Sequence, residues 1–441
     1  MREKPDESLL AEWKAGLWLG TAKMDITPRK PVPLAGFAHR LGMFTSVADR
    51  LYAKVWYFRY YSDRGTFCDA LLVQGDLLYW GPDVADSLTD EIAGQYGIDP
   101  EAILFHGIHT HSGPQTDIRP MPLAASADPA YLEWLREGVR KASLDLEPVT
   151  VERGCGRCSV GINRRRKVSG KICMAPNPDG LNNSEVIVVG FKTGTGREKG
   201  ILIHYACHLT TTDEEAVSAE FGGLAAEKIA DAVGTDTTVS FLQGCCGDIR
   251  PALIRNGEFY RGNHSDVERL ADRLSKSVWE VLSHPMEKTG SSGIFSAKKT
   301  VMLPVGHVPS KAELQHMEPE PGGCMDEWRQ IVLKNPRLLR PYIPLTLTWL
   351  QIADDLAFIG FGAEVVVHYG LFIKKMSGKR ILPLGYTNGM AGYLPTGAQL
   401  AEGGYETQEA PYFYGLPGAL DPKVQACVEQ GVLAMMRQLR P

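Results

Sequence analysis

An α/β fold, with mixed β-sheets covered by helices, is predicted by three features of this sequence. Apolar strand-like runs alternate with amphipathic helical segments along most of the chain. The 441 residues are 44% hydrophobic and 22% charged, an ordinary globular composition with length enough for a large core. No internal repeat or low-complexity linker divides them, so residues 17–441 read as one domain behind an N-terminal extension at 1–16.

The elements follow in order. "DALLVQGDLLYW" (69–80) is an apolar strand, and a helix spans about 81–96. "AILFHGIHT" (102–110) is a second strand, followed by a helix over about 128–144 with Asp128 and Pro129 at its cap and first turn. "EVIVVGFKT" (185–193), "GILIHYACH" (200–208) and "TTVSFLQGC" (237–245) read as further strands, with "EFGGLAAEKIADAV" helical between the last two. "SDVERLADRLSKSVWEVL" (265–282) carries a capping box, Ser265 to Glu268, and apolar residues at 267, 270, 274 and 278. The segment 303–345 is rich in proline and poor in periodicity, and reads as a solvated surface excursion or a lid. "LTWLQIADDLAFIGFGAE" predicts a hairpin, and "DPKVQACVEQGVLAMMRQL" a closing amphipathic helix.

Composition excludes several classes of partner. A net charge of -5 gives no electrostatic basis for nucleic-acid binding. No run of about 18 apolar residues is present to span a bilayer. "MREKPDESLLAEWKAG" lacks the apolar core of a secretory signal, and nine scattered cysteines point to a reduced chain, so a cytoplasmic location is expected. The expected partner is a small-molecule substrate, and a homo-oligomer is compatible with an acidic chain of this size.

Histidines and carboxylates at strand ends carry the chemistry. In "HGIHTHSGPQTD" (106–117), His109 and His111 lie two apart, and on an extended chain both face one cleft while His106 faces away. "ILIHYACHLTTTDEE" places His208 where a strand gives way to a loop, with His204 read as a structural residue inside the strand. Asp248 follows the tight "QGCCG" turn, and Glu364 is a carboxylate behind an apolar run. Two histidines and a carboxylate with an open position suit a catalytic zinc. Asp248 and Ser112, the latter beside His111, join the substrate-binding candidates. "CGRC" (155–158) has no second pair nearby, so its cysteines read as reduced strand-edge residues.

These motifs together resemble the neutral/alkaline non-lysosomal ceramidases, in their N-terminal catalytic domain. The matching pieces are "AKMDITP", "LAGFAHR", "DRLYAKV", "GIHTHSGP", "GINRR", "HYACHLT", "LQGCCGDIRP", "GAE" and "TNGMAGYLPT", in that order from about 17 to 415. The resemblance implies a zinc site of His109, His208 and Glu364, with Tyr393 as an additional ligand, and places His111 and Arg164 beside the reaction centre. It also implies a serine at the zinc, but Arg250 stands at that position. A guanidinium is no nucleophile; it suits a carboxylate or phosphate. The family's C-terminal immunoglobulin-like domain has no counterpart after about residue 415.

The expected function is therefore a zinc-dependent hydrolase in which water attacks an amide or ester of a small polar, anionic substrate. His111, Arg164 and Tyr393 are its catalytic candidates, and Arg250 its substrate-binding one. Two alternatives are a metal-dependent lyase or isomerase acting on an acidic sugar, and a non-catalytic ligand-binding relative.

Overall fold

The computed structural model describes residues 15–40, 42–116, 130–234 and 236–438. Its main sheet runs in the order Thr238–Gln243, Glu198–Tyr205, Glu185–Thr193, Glu147–Arg157, Gly16–Asp25, Tyr52–Tyr61, Phe67–Gly75, Ile103–Gly107, and Glu287–Thr289 adds to Glu147–Arg157. The central pairs are antiparallel, whereas the pair at each edge is parallel. A parallel neighbour needs a crossover, and each edge has one: helix Pro82–Tyr96 at one, helix Glu220–Val233 at the other. Strands of this kind deliver their following loops to the same end of the sheet.

The sheet curls until its two edges meet. His106, on the last strand, accepts a hydrogen bond at Nε2 from the Gln243 backbone N–H at 2.9 Å, while its Nδ1 lies 3.1 Å from the Gly385 carbonyl. Gln243 in turn donates from Nε2 to the carbonyls of Ile108 and Cys207. Thr110 and Leu209 then pair as an isolated parallel bridge. The loops after Ile103–Gly107 and Glu198–Tyr205 are thereby brought side by side.

Helix Ala130–Leu144 packs on Gly16–Asp25 and Tyr52–Tyr61, and helices Glu220–Val233 and His264–Leu282 pack on each other. Trp56, Phe58 and Phe191 fill one face of the sheet, and Trp56 Nε1 donates to Ser240 Oγ at 2.9 Å. A second sheet orders Phe295–Pro304, Tyr342–Ala353, Leu356–Phe361 and Ile381–Leu384, backed by helix Val424–Gln438. The expected hairpin is its central pair. Among the described residues no helix is long and apolar enough to cross a membrane.

Several elements differ from the sequence expectations. The strands read over 69–80, 102–110 and 200–208 stop early, at Gly75, Gly107 and Tyr205, because the chain turns there toward the site. Gly16–Asp25 and Tyr52–Tyr61 went unread: the latter is buried on both faces through most of its length, which erases the alternation of a half-exposed strand. The capping box is Asn263 with Asp266, not Ser265 with Glu268; the helix starts at His264, and Ser265 Oγ donates to the Asn263 side chain at 2.7 Å. The cap proposed at Asp128 and Pro129 lies outside the described residues. The segment 303–345 is not a structureless excursion. It holds helices Lys311–His316 and Cys324–Lys334 around a small core of Leu314, Trp328 and Val332.

Candidate metal centre

His109 and His111 follow the edge strand Ile103–Gly107, and His208 follows Glu198–Tyr205, the strand next to the opposite edge. Closure of the sheet puts one imidazole-bearing loop against the other, with the His111 N–H donating to the Leu209 carbonyl at 3.2 Å. Glu364 and Tyr393 come from the far side, paired to each other in the short parallel bridge Glu364–Val365 with Tyr393–Leu394. One ligand atom from each of His109, His111 and His208 lies within 4.8 Å of the other two, a group able to hold a metal ion. His109 and His111 do converge, but not by strand pleat. His109 has φ +66°, and this left-handed bend brings the two Nε2 atoms to 3.1 Å.

Hydrogen bonding separates the histidines. His109 Nδ1 meets the Leu78 carbonyl at 3.0 Å, and His208 Nδ1 meets the carbonyls of Cys246 and Ile249 at 2.7 and 2.9 Å. A carbonyl accepts only, so in both rings Nδ1 carries the proton and Nε2 presents a bare lone pair. Those Nε2 atoms stand 3.4 and 3.2 Å from Glu364 Oε2, and Tyr393 Oη is 3.5 Å from His208 Nε2. Lone pairs of two imidazoles and a carboxylate facing one another in a buried space fit a cation, and carbonyls behind the imidazoles are the usual support of ligating histidines. His111 differs: its Nε2 lies 3.1 Å from the bare Nε2 of His109 and so donates there, while its buried Nδ1 has no hydrogen-bond partner.

Burial and mutual proximity shift the titratable groups of the centre. Burial would raise the Glu364 carboxyl, but His109 and His208 outweigh it and hold it well below the usual carboxylate range. Burial, aided by Arg164, lowers His208 to about 4, and burial together with His109 and His208 pushes His111 well below the ordinary imidazole value. Burial pushes the Tyr393 phenol well up. His106 and His204 lie outside the cluster, and His204 Nε2 meets the Pro383 carbonyl at 2.9 Å.

Of the other sequence candidates, Arg164 joins the centre. Its guanidinium donates to Tyr393 Oη at 3.0 Å and to Glu406 at 2.8 Å. Asp248 does not line the cavity: its carboxylate accepts from the Val367 backbone N–H at 2.8 Å and from Gln399 Nε2 at 3.0 Å, anchoring the start of helix Val367–Ser377. Ser112 does not line the cavity either: it is fully buried next to His111, and its Oγ has no hydrogen-bond partner. Both are corrections to the substrate-binding set, because their polar atoms are absorbed by backbone or closed off from the cavity. Arg250 is 6% exposed and lies over the Phe259 ring, 4.4 Å from its centroid, rather than at the metal donors.

Residues with no signal in the sequence complete the shell. The Tyr386 ring stacks on His109 with centroids 3.9 Å apart, and the Tyr414 hydroxyl donates to Glu364 Oε1. Glu406 binds Arg164 and Arg165 together. A cavity of about 240 Å³ opens onto this cluster, walled by Gly36, Phe37, Tyr405, Phe413 and Tyr414.

No protein-family model matches the sequence, and no curated protein matches it. Solved structures match in three dimensions, among them two ceramidases. The neutral ceramidase from Pseudomonas aeruginosa superimposes with a TM-score of 0.74 at 16% identity, over 97% of this chain and 76% of that one. A ceramidase complexed with C2 does so with a TM-score of 0.75, again at 16% identity and with the same coverage. Identity this low speaks for the fold alone, and over nearly its whole length the fold of this chain is that of a neutral ceramidase.

Proposed function

We propose that the protein is a zinc-dependent hydrolase that cleaves an amide, or an ester, in a compact polar substrate bearing an anionic group. The observation that carries this reading is the proton arrangement at the centre: two imidazoles with Nδ1 tied to carbonyls turn bare Nε2 atoms toward one buried carboxylate. The fold shared with proteins described as ceramidases supports it.

His109, His208 and Glu364, with Tyr393, would hold the ion; nitrogen and oxygen donors with one position open suit catalytic zinc. Such an ion polarises a carbonyl and brings the pKa of water to about 7, so a hydroxyl nucleophile is not required. His111, neutral and with Nδ1 unpartnered, takes the proton of the attacking water and returns it to the leaving group. Arg164, locked by Glu406, steadies the developing oxyanion beside Tyr393. A cavity of about 240 Å³ lies below the ~300–1,000 Å³ of drug-sized sites, which supports a compact substrate over a two-chained lipid.

Incubating the zinc-loaded protein with a panel of N-acyl amino acids and neutral amides in ¹⁸O-water tests this. The expected result is cleavage with label in the acid product, abolished by a chelator and restored by zinc. A product with a new ultraviolet-absorbing double bond and no label would establish the lyase alternative. Ligand binding without turnover, retained in Glu364→Ala, would establish a non-catalytic protein.

A further inference from the structure

Around Phe37, which walls the metal cavity, the protein gathers positive charge that its own carboxylates neutralise only in part. Arg250 pairs across from Ile162 in the antiparallel ladder of Ile249–Pro251 with Gly161–Val168, two residues along that strand from Arg164. Its Nε is buried with no hydrogen-bond partner, and the other contact of its guanidinium is the Met174 sulfur, 3.9 Å from Nη1. Arg261 lies over the Phe37 ring, 4.4 Å from its centroid, and Phe37 walls the metal cavity. Among the described residues Asp213 alone comes within ion-pair range of either arginine, 3.7 Å from Arg261, and it is shared with His39 at 3.0 Å. Burial first, then the charges of Arg261 and Arg164, lowers Arg250 to about 9. Like charges that share one carboxylate are relieved by an incoming anion.

We propose that Arg250 and Arg261 form an oxyanion subsite at the Phe37 edge of the metal cavity, so that the substrate is a compact amide or ester carrying a carboxylate or phosphate. The proposal rests on the hydrolase reading for the bond cleaved, but not for the anion. Each guanidinium lies over an aromatic ring, Arg250 with its buried Nε unpartnered and Arg261 donating from Nη1 to the Thr210 carbonyl at 3.5 Å, so both forks keep further N–H groups for an oxyanion. Arg261 is the partner that the sequence did not disclose, because it lies in the loop before helix His264–Leu282, remote from every strand-end motif.

Isothermal titration of the zinc-loaded protein with inorganic phosphate and, separately, glutarate reads the subsite without turnover and tells the two anion types apart. At least one probe is expected to bind, and Arg261→Gln to weaken it by about tenfold or more, the size of effect of losing a charge-assisted hydrogen bond. The Arg261 side chain is 37% exposed, so this variant folds; Arg250→Lys keeps the buried charge and is expected to weaken the same probe by removing the fork. Failure of both probes to bind, or unchanged affinity in Arg261→Gln, overturns the proposal. Anion binding through the pair with no bond ever cleaved would instead remove the hydrolase reading and leave the subsite standing.

Discussion

At the scale of single residues, what each imidazole meets at Nδ1 decides what it does. His109 and His208 meet carbonyls, and His111 meets none because Gly36 sits against it. Gly36 has φ +95°, and a Cβ there would lie 2.3 Å from His111 Nδ1. Gly36→Ala therefore displaces His111 while leaving the metal donors in place. We expect kcat to fall by about 10²-fold with metal content unchanged, measured by steady-state kinetics beside elemental analysis. Tyr414→Phe removes the hydroxyl that orients Glu364. A supporting partner of this kind is worth about 10–100-fold in metal affinity, which a competition titration with a chelator reads directly. His109, His208 and Glu364 were legible as strand-end residues, His204 as a structural one and His106 as facing away from the cleft. Tyr386, Tyr414 and Glu406 were not, because their partners are far away in sequence and no spacing rule joins them.

At the scale of elements, the centre depends on segments that do not touch the donors. The short helices around Tyr405–Phe413 supply one wall of the cavity. They are pinned from behind by Trp328, which donates from Nε1 to the Leu416 carbonyl at 2.9 Å and packs edge-on against Tyr412 with centroids 4.7 Å apart. The region 303–345 thus acts as a buttress for that wall; none of its residues lines the cavity. Trp328→Ala is expected to cost about 3–5 kcal/mol locally. Hydrogen exchange should accelerate across 405–416 and KM should rise, with exchange in the main-sheet strands unchanged. Most helices and buried apolar strands were visible as periodicity or as apolar runs. The strand ends were not, since they are set by where the chain turns into the centre and by the left-handed bend at His109.

At the scale of the whole molecule, His106 joins the two edges of the main sheet, and its chemistry makes that closure sensitive to acid. Burial lowers His106 and His204 to about 3, from the ordinary 6.5. Between those values the unfolded chain binds more protons than the folded one. The stability supplied by the neutral rings is therefore complete above pH 6.5 and is lost as the pH falls toward about 3. The melting temperature should drop across that window, and His106→Gln should melt lower at neutral pH yet lose less on acidification. A melting temperature that rises on acidification would contradict this. The α/β class was legible from the alternation of segments, whereas the curl that unites the edges was not, because it depends on side chains bridging strands more than a hundred residues apart.

The central claim is that His109, His208 and Glu364 hold one metal ion. Elemental analysis of the purified protein, after incubation with zinc and desalting, addresses it most directly. The account predicts about one ion per chain, lost in His208→Ala and in Glu364→Ala. Only a trace of metal in the wild-type protein, with no change in melting temperature on adding zinc, would contradict it.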